Sequence, residues 1–336
     1  MNENVEWWVG IDVAKSKLDI AVRDARGKSK SHVFSNDSKG FAALIDWLEQ
    51  RGCQSHASRV CMEATGPYSE AVATALSDAG WVVSVVNPAR IKGFAQSEMA
   101  RNKTDRADAA LLARFAQAMQ PEAWAPPALA VRELRALVER LQALKAMLQQ
   151  ESNRLESALN QPVMQTSIRS HMHWLQDNIK SLEQQIGDHI DRNPGLRADA
   201  DLITSIPGLG VTTAAKVLAY VGDVRRFRNA KALAAFIGVT PRLKESGSSV
   251  RGRTTISRSG HATIRHALYM PALVALQHNP SIKVFGQRLK AQGLAPKAVI
   301  SAAMHKLVRF IYGVLKNRTT FNPQSLDNTL DFQDGI

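Results

Sequence analysis

Cysteine is almost missing from this chain. Cys53 and Cys61 are the only two, and no second pair stands near them to complete a zinc site. Both lie in or beside apolar segments, which predicts reduced, partly buried thiols rather than a disulfide framework. No uninterrupted apolar run reaches the roughly 18 residues of a membrane span, so no membrane partner is expected. Residues 1–6 are polar and acidic and lack the basic-then-apolar layout of a secretory signal, so the chain is expected to stay in the cytoplasm. Acidic residues are scarce in one region alone. Residues 1–128 carry 15 Lys/Arg against 15 Asp/Glu, residues 129–193 carry 8 against 8, and residues 194–336 carry 20 against 7. The formal excess of +13 therefore sits in the last part. So local an excess points to a polyanion gripped by one region, and a merely soluble basic surface is the weaker reading.

What is present is a globular chain. Hydrophobic residues make up 45% of 336 positions, enough for two or three domains with cores. Residues 5–11 read as a strand ending at Asp12, and Leu18 to Val22 and Ser31 to Phe34 as two more, joined in an antiparallel meander. Apolar residues at 41, 44, 45 and 48 have helical spacing, with Ser38 as N-cap and Gly52 as stop. Arg59 to Met62 is a fourth strand that meets Glu63. Pro67 opens a second helix reaching Gly80, Trp81 to Val86 is a buried fifth strand closed by Asn87-Pro88, and Thr104 to Met119 is a long amphipathic helix. Three strands, helix, strand, helix, strand, helix is the order of an RNase H-like (RuvC-like) domain over residues 1–128. Leu134, Leu137, Leu141, Leu144 and Leu148, then Ile168, Met172, Leu175, Ile179, Leu182 and Ile186, form two apolar seams that meet near Pro162. They predict a coiled-coil helical hairpin over 129–193, a spacer or oligomerisation arm. Residues 194–322 read as mainly helical, and 323–336 as a polar tail.

Four carboxylates stand where chemistry can use them. Asp12 and Glu63 close two strands, and Asp105 and Asp108 share one face at the start of a helix. If they converge, the cluster is costly unless a cation neutralises it. Mg2+, or Mn2+ in its place, does so through hard oxygen ligands and assists phosphoryl transfer. Singly, each acid has an ordinary explanation, such as a helix start for Asp105. Together they favour a metal site. The small or polar flanks Gly10–Lys15, Glu63–Gly66 and Asn102–Ala109 leave room for a substrate.

Two features of the basic region suit nucleic acid. Ile206-Pro207-Gly208-Leu209-Gly210 before an apolar helix resembles a helix-hairpin-helix turn, whose Gly208 and Gly210 let the backbone approach a phosphate. Downstream, Ser246, Ser248 and Ser249 stand among Arg242, Lys244, Arg251 and Arg253 in a loop running from Lys244 to Gly260, with Arg258 and Arg265 after them. Arginine binds phosphate bidentately. A serine held there either attacks phosphorus or only donates hydrogen bonds. Chemistry alone favours the second, because no general base is evident, and the three serines are equivalent on that ground.

At these residues the chain resembles the DEDD-motif insertion-sequence transposases related to the Piv/MooV DNA invertases. The resemblance spans about residues 7–322 and rests on the GIDVAK, MEATGPY, NKTDRADA, SIPGLG and ESGSSVRG segments. It implies that Asp12, Glu63, Asp105 and Asp108 are the metal ligands and that Ser246 is the nucleophile. It further implies DNA donor and target, a noncoding bridge RNA as guide, a 5′-phosphoserine intermediate, and dimers assembling into a tetramer whose acidic site and serine come from different subunits. Two other functions compete: a metal-dependent nuclease or junction resolvase of the RuvC type, needing the acids without Ser246, and a non-catalytic basic DNA-binding protein, needing neither.

Overall fold

The computed structural model describes residues 5–98, 104–158, 161–242, 245–246, 250–251, 255–257 and 260–323. The chain divides into two compact units, Met1–Pro126 and Pro127–Ile336.

The first unit is built on β1 (Trp7–Val13), β2 (Lys17–Asp24), β3 (Ser29–Ser35), α1 (Ser38–Glu49), β4 (Ser58–Glu63), α2 (Pro67–Asp78), β5 (Val82–Val86), α3 (Pro88–Ser97) and α4 (Asp105–Met119). Its sheet has the order β3-β2-β1-β4-β5, with the first three strands antiparallel and β4 and β5 parallel to β1. The expected meander and the three strand–helix alternations are thus present as a mixed sheet. Strand alternation sorts the faces. Val9, Ile11 and Val13 join Leu44, Leu48 and Leu76 in one core, and Trp8 and Cys61 join Leu112 and Phe115 in another, on the opposite face. Both cysteines are buried free thiols, and burial pushes them up to about 11 for Cys53 and about 12 for Cys61.

Three local expectations need correction. The N-cap of α1 is Asp37, whose carboxylate accepts from the Gly40 amide at 2.8 Å, and not Ser38. Asn87-Pro88 does not only close β5. Asn87 caps α3 by accepting from the Ala89 amide at 2.8 Å, and Pro88 fills the first turn, where its missing N–H costs nothing. Asp12 and Glu63 lie inside their strands rather than after them.

The second unit begins with α5 (Leu129–Ser157) and α6 (Pro162–Arg192), the long antiparallel pair expected from the two seams. Leu134, Leu141 and Leu144 of one helix and Leu175, Ile179, Leu182 and Ile186 of the other are buried. Their core is continuous with that of α7 (Pro194–Thr204), α8 (Val211–Val221) and α9 (Ala230–Ile237). Four two-residue strands follow, β6 (Pro241–Arg242), β7 (Glu245–Ser246), β8 (Val250–Arg251) and β9 (Thr255–Ile256). The segment from Lys244 to Gly260, expected as a plain loop, therefore carries ladder pairing, for which β-branched Val250, Thr255 and Ile256 are suited. Helices α10 (Ala262–Ala267), α11 (Tyr269–His278), α12 (Pro280–Ala291) and α13 (Pro296–Asn317) complete the unit. By length and composition α13 is apolar enough to cross a membrane, yet 56% of its most apolar stretch is buried, with Leu307, Phe310 and Ile311 in the core. Burying such side chains contributes on the order of 1.5–3 kcal/mol each.

Candidate functional site

The first unit gathers carboxylates on the sheet face that α4 covers. Asp12 stands directly opposite Asp19 in the antiparallel β1–β2 ladder. One step beyond the Ile11–Met62 pair of the parallel β1–β4 ladder come Asp12 and Glu63. Asp105 and Asp108 occupy the first turn of α4, where Thr104 caps the helix by accepting from the Ala107 amide at 3.2 Å. The partial positive charge of a helix start favours acids there.

Gly10 explains why α4 reaches this face. A Cβ at that position would lie 2.0 Å from the Ala109 carbonyl oxygen and 2.4 Å from the Ala113 amide nitrogen. The helix backbone thus rests on β1 itself, two residues before Asp12. Any side chain at position 10 would lift α4, and its two aspartates with it.

The electrostatics follow from this crowding. The Asp12 carboxyl is pushed up to about 6, first by burial and then by Asp108, Asp105, Asp19 and Glu63. A cation already offsets part of the charge. Lys17 Nζ lies 2.6 Å from Asp105 Oδ2 and 3.0 Å from Asp19 Oδ2. Its hydrogen bond holds Asp105 below the usual carboxylate range, while the two acids hold the ammonium above its ordinary value. Among the described residues, no three His, Cys, Asp or Glu side chains are close enough to grip one ion as they stand. The donor chemistry nonetheless fits Mg2+, since every candidate donor is a hard carboxylate oxygen and the cluster carries surplus negative charge. Gripping an ion requires the side chains to close in.

All four acids singled out in the sequence therefore meet in one electrostatic cluster. Sequence reasoning missed three participants: Asp19, Lys17 and Gly10. The alternation Lys17-Leu18-Asp19-Ile20 does carry a signal, because it puts both charges on one face.

The basic residues lie in the second unit. Ser246 pairs with Val250 and Glu245 with Arg251 in one two-stranded ladder, and Arg242 pairs with Thr255 and Pro241 with Ile256 in another. Lys244, Ser248, Ser249, Arg253 and Arg258 are outside the described residues. Arg265 donates from Nη1 to the Ile237 carbonyl at 3.1 Å. The Pro207–Gly210 turn links α7 to α8. Gly208, at φ 104°, has its Cβ side against Ala275, 2.9 Å from that methyl carbon, so its glycine character serves packing. Gly210 caps α8, and a Cβ there would meet nothing within 4 Å.

Comparison with known proteins identifies the family. Residues 9–164 match a family model for DEDD transposases described as "Transposase", and residues 200–287 match the "Transposase IS116/IS110/IS902 family". The chain is 34% identical over 316 residues to a pilin gene-inverting protein of Moraxella bovis, covering 94% of this chain and 97% of that one. It is 26% identical over 299 residues to the transposase for insertion sequence element IS1111A of Coxiella burnetii, covering 80% and 78%.

Proposed function

The chain belongs to the IS110-family DEDD transposases, enzymes of DNA recombination, and from that premise we propose that it cuts and rejoins DNA with a carboxylate-held metal and a serine nucleophile. The observation that carries this reading is the Asp12 carboxyl, raised to about 6 among four other acids. A fold does not gather like charges on one sheet face without a use for a cation there. The sheet order β3-β2-β1-β4-β5, with α4 laid across β1, supports an RNase H-like, RuvC-like scaffold for residues 1–128. In this reading residues 129–193 are the coiled-coil, residues 194–322 are the transposase domain, and the Pro207–Gly210 turn is a helix-hairpin-helix.

Asp12, Glu63, Asp105 and Asp108 would hold Mg2+ or Mn2+. When bound, that ion neutralises charge building on the attacking and leaving oxygens of a phosphodiester. Ser246 Oγ attacks phosphorus, the bond to the 3′ oxygen breaks, and the strand leaves as a 3′-hydroxyl. The 5′ phosphate stays on Ser246. The serine proton passes to a carboxylate of an acidic site, supplied by another copy in a homo-oligomer of dimers assembling into a tetramer, and a proton from that site goes on to the leaving 3′ oxygen. Attack by the 3′-hydroxyl of a second strand reverses the chemistry and frees the serine. Because the ester stores the broken bond, no external energy is needed. Arg242, Lys244, Arg251, Arg253 and Arg258 place phosphates around the two ladders, a bridge RNA selects donor and target DNA, and the enzyme works in the cytoplasm.

The test is strand cleavage by the full chain with Mg2+, with EDTA, and by Asp12→Asn and Asp108→Asn. Neither substitution removes core volume, so both variants should fold and bind DNA. Cleavage should vanish with either variant and with EDTA. Robust cleavage by a folded Asp12→Asn protein contradicts the metal assignment.

A further inference from the structure

The β6–β9 ladder adjoins a stack of cations and aromatic rings. Two backbone hydrogen bonds close it: the Ser257 amide donates to the Thr240 carbonyl and the His261 amide to the Phe236 carbonyl, each at 2.8 Å. Beneath these bonds, the Arg226 guanidinium carbon lies 4.8 Å from the ring centre of Phe227 and 5.1 Å from that of Phe236. Phe236 faces His261 at 6.0 Å, His261 faces Tyr220 at 4.8 Å, and Arg135 lies over Tyr220 at 5.7 Å. The residues come from α5, α8, the turn at Val224–Arg226, α9 and the start of α10. They converge by tertiary folding, not by sequence proximity.

The stack concentrates positive charge. Burial and then Arg135 lower the Arg226 guanidinium from its ordinary value. Burial, Arg135 and Arg265 likewise lower the His261 imidazole, so it is neutral at physiological pH. Asp223 bears on Arg226, but its two oxygens already accept from Arg225 Nε at 2.9 and 3.0 Å. The Arg226 side chain makes no hydrogen bond or ion pair among the described residues; the rings crowd its guanidinium, yet the residue as a whole keeps exposed surface. A guanidinium packed against aromatic rings loses little freedom on binding and keeps its fork of N–H donors for a ligand. That geometry matches a phosphate oxygen pair.

We propose that the Arg226 guanidinium, seconded by Arg135, seats a backbone phosphodiester where a nucleic-acid strand passes the β6–β9 ladder. The seat rests on the reading of this chain as a nucleic-acid recombinase. Its role is to fix the register of the strand relative to Ser246.

The experiment is fluorescence anisotropy of the full chain with duplex DNA, repeated with an RNA strand of equal length, between roughly 50 and 200 mM salt. Each neutralised phosphate contributes a slope of about −0.9 in log affinity against log salt on duplex DNA. Arg226→Gln should weaken binding and shallow that slope by about one contact. Arg226→Lys, which keeps the charge, should restore the slope but not the full affinity. Arg225→Gln should leave the slope unchanged, because that charge is spent on Asp223. A loss seen with duplex DNA assigns the seat to the DNA path, and one seen with RNA alone assigns it to the guide. An unchanged slope in Arg226→Gln, or an equal loss in Arg225→Gln, overturns the seat while leaving the recombinase reading intact. Failure of the wild-type chain to bind either nucleic acid overturns both.

Discussion

The Lys17 ammonium on β2 stands 2.6 Å from the Asp105 carboxylate at the head of α4, and so a protein cation sits beside the carboxylates assigned to the metal. It also reaches Asp19 at 3.0 Å. With one partner half exposed and the ammonium open to water, the pair stabilises the fold little. Its effect falls on the cluster: Lys17 competes for Asp105. Lys17→Met should therefore bind Mn2+ several-fold more tightly by calorimetry, with a melting temperature in EDTA close to wild type. Weaker Mn2+ binding would show instead that Lys17 organises the acids for the ion.

Asp12 makes metal binding depend on pH in a definite direction. Its folded pKa of about 6 exceeds the ordinary 3.8. The stability contributed by holding this proton is fully present below the ordinary value and is lost as pH rises through about 6. Above that, an unneutralised charge remains, which a divalent ion offsets. Stabilisation of the protein by Mg2+ should be small near pH 5 and level off above about pH 7, with affinity falling up to about tenfold per pH unit below the pKa. Asp12→Asn should flatten the profile. A Mg2+ effect independent of pH in wild type would separate Asp12 from the ion.

Gly10 and Gly93 should respond oppositely to alanine. At Gly10 the new methyl would collide with the α4 backbone, and overpacking of this kind costs about 1–3 kcal/mol or more. Metal affinity should fall beyond what partial unfolding explains, because the helix carrying Asp105 and Asp108 is displaced. At Gly93, inside α3, a Cβ meets nothing within 4 Å, and alanine should stabilise by about 0.4–1 kcal/mol. Chemical denaturation of both variants decides this. A Gly10→Ala protein as stable as wild type would mean that α4 does not rest on β1 as described.

The scaffold was legible because its signals are local. The apolar run of Trp7–Ile11, the apolar spacing of α1 and the two long leucine and isoleucine seams are each read from a single stretch of sequence. Asp12, Glu63, Asp105 and Asp108 were legible as strand-end and helix-start acids. Asp19 was not, because its place opposite Asp12 depends on the register of the β1–β2 hairpin, which no single strand encodes. Helix α3 hid behind Asn87-Pro88, a pair that ends a strand and caps a helix equally well. The pairing of Arg226 with Arg135 escaped notice because the two are far apart in sequence and approach only through tertiary packing. Gly208 shows the reverse. Its place in a recognisable turn suggested contact with a ligand, and to that its φ and its neighbour Ala275 add a packing role that the sequence did not show.

The central claim is that Ser246 carries the cut strand, and the direct measurement is a denatured protein–DNA adduct. Recombination with end-labelled DNA and Mg2+, stopped in detergent and mapped by peptide mass, should place a 5′ phosphate on Ser246. Ser246→Ala should bind DNA with wild-type affinity and form no adduct, and Asp12→Asn should form none either, since the serine needs the acidic site. An adduct mapped to Ser248 or Ser249, or recombination that persists in Ser246→Ala, contradicts the account.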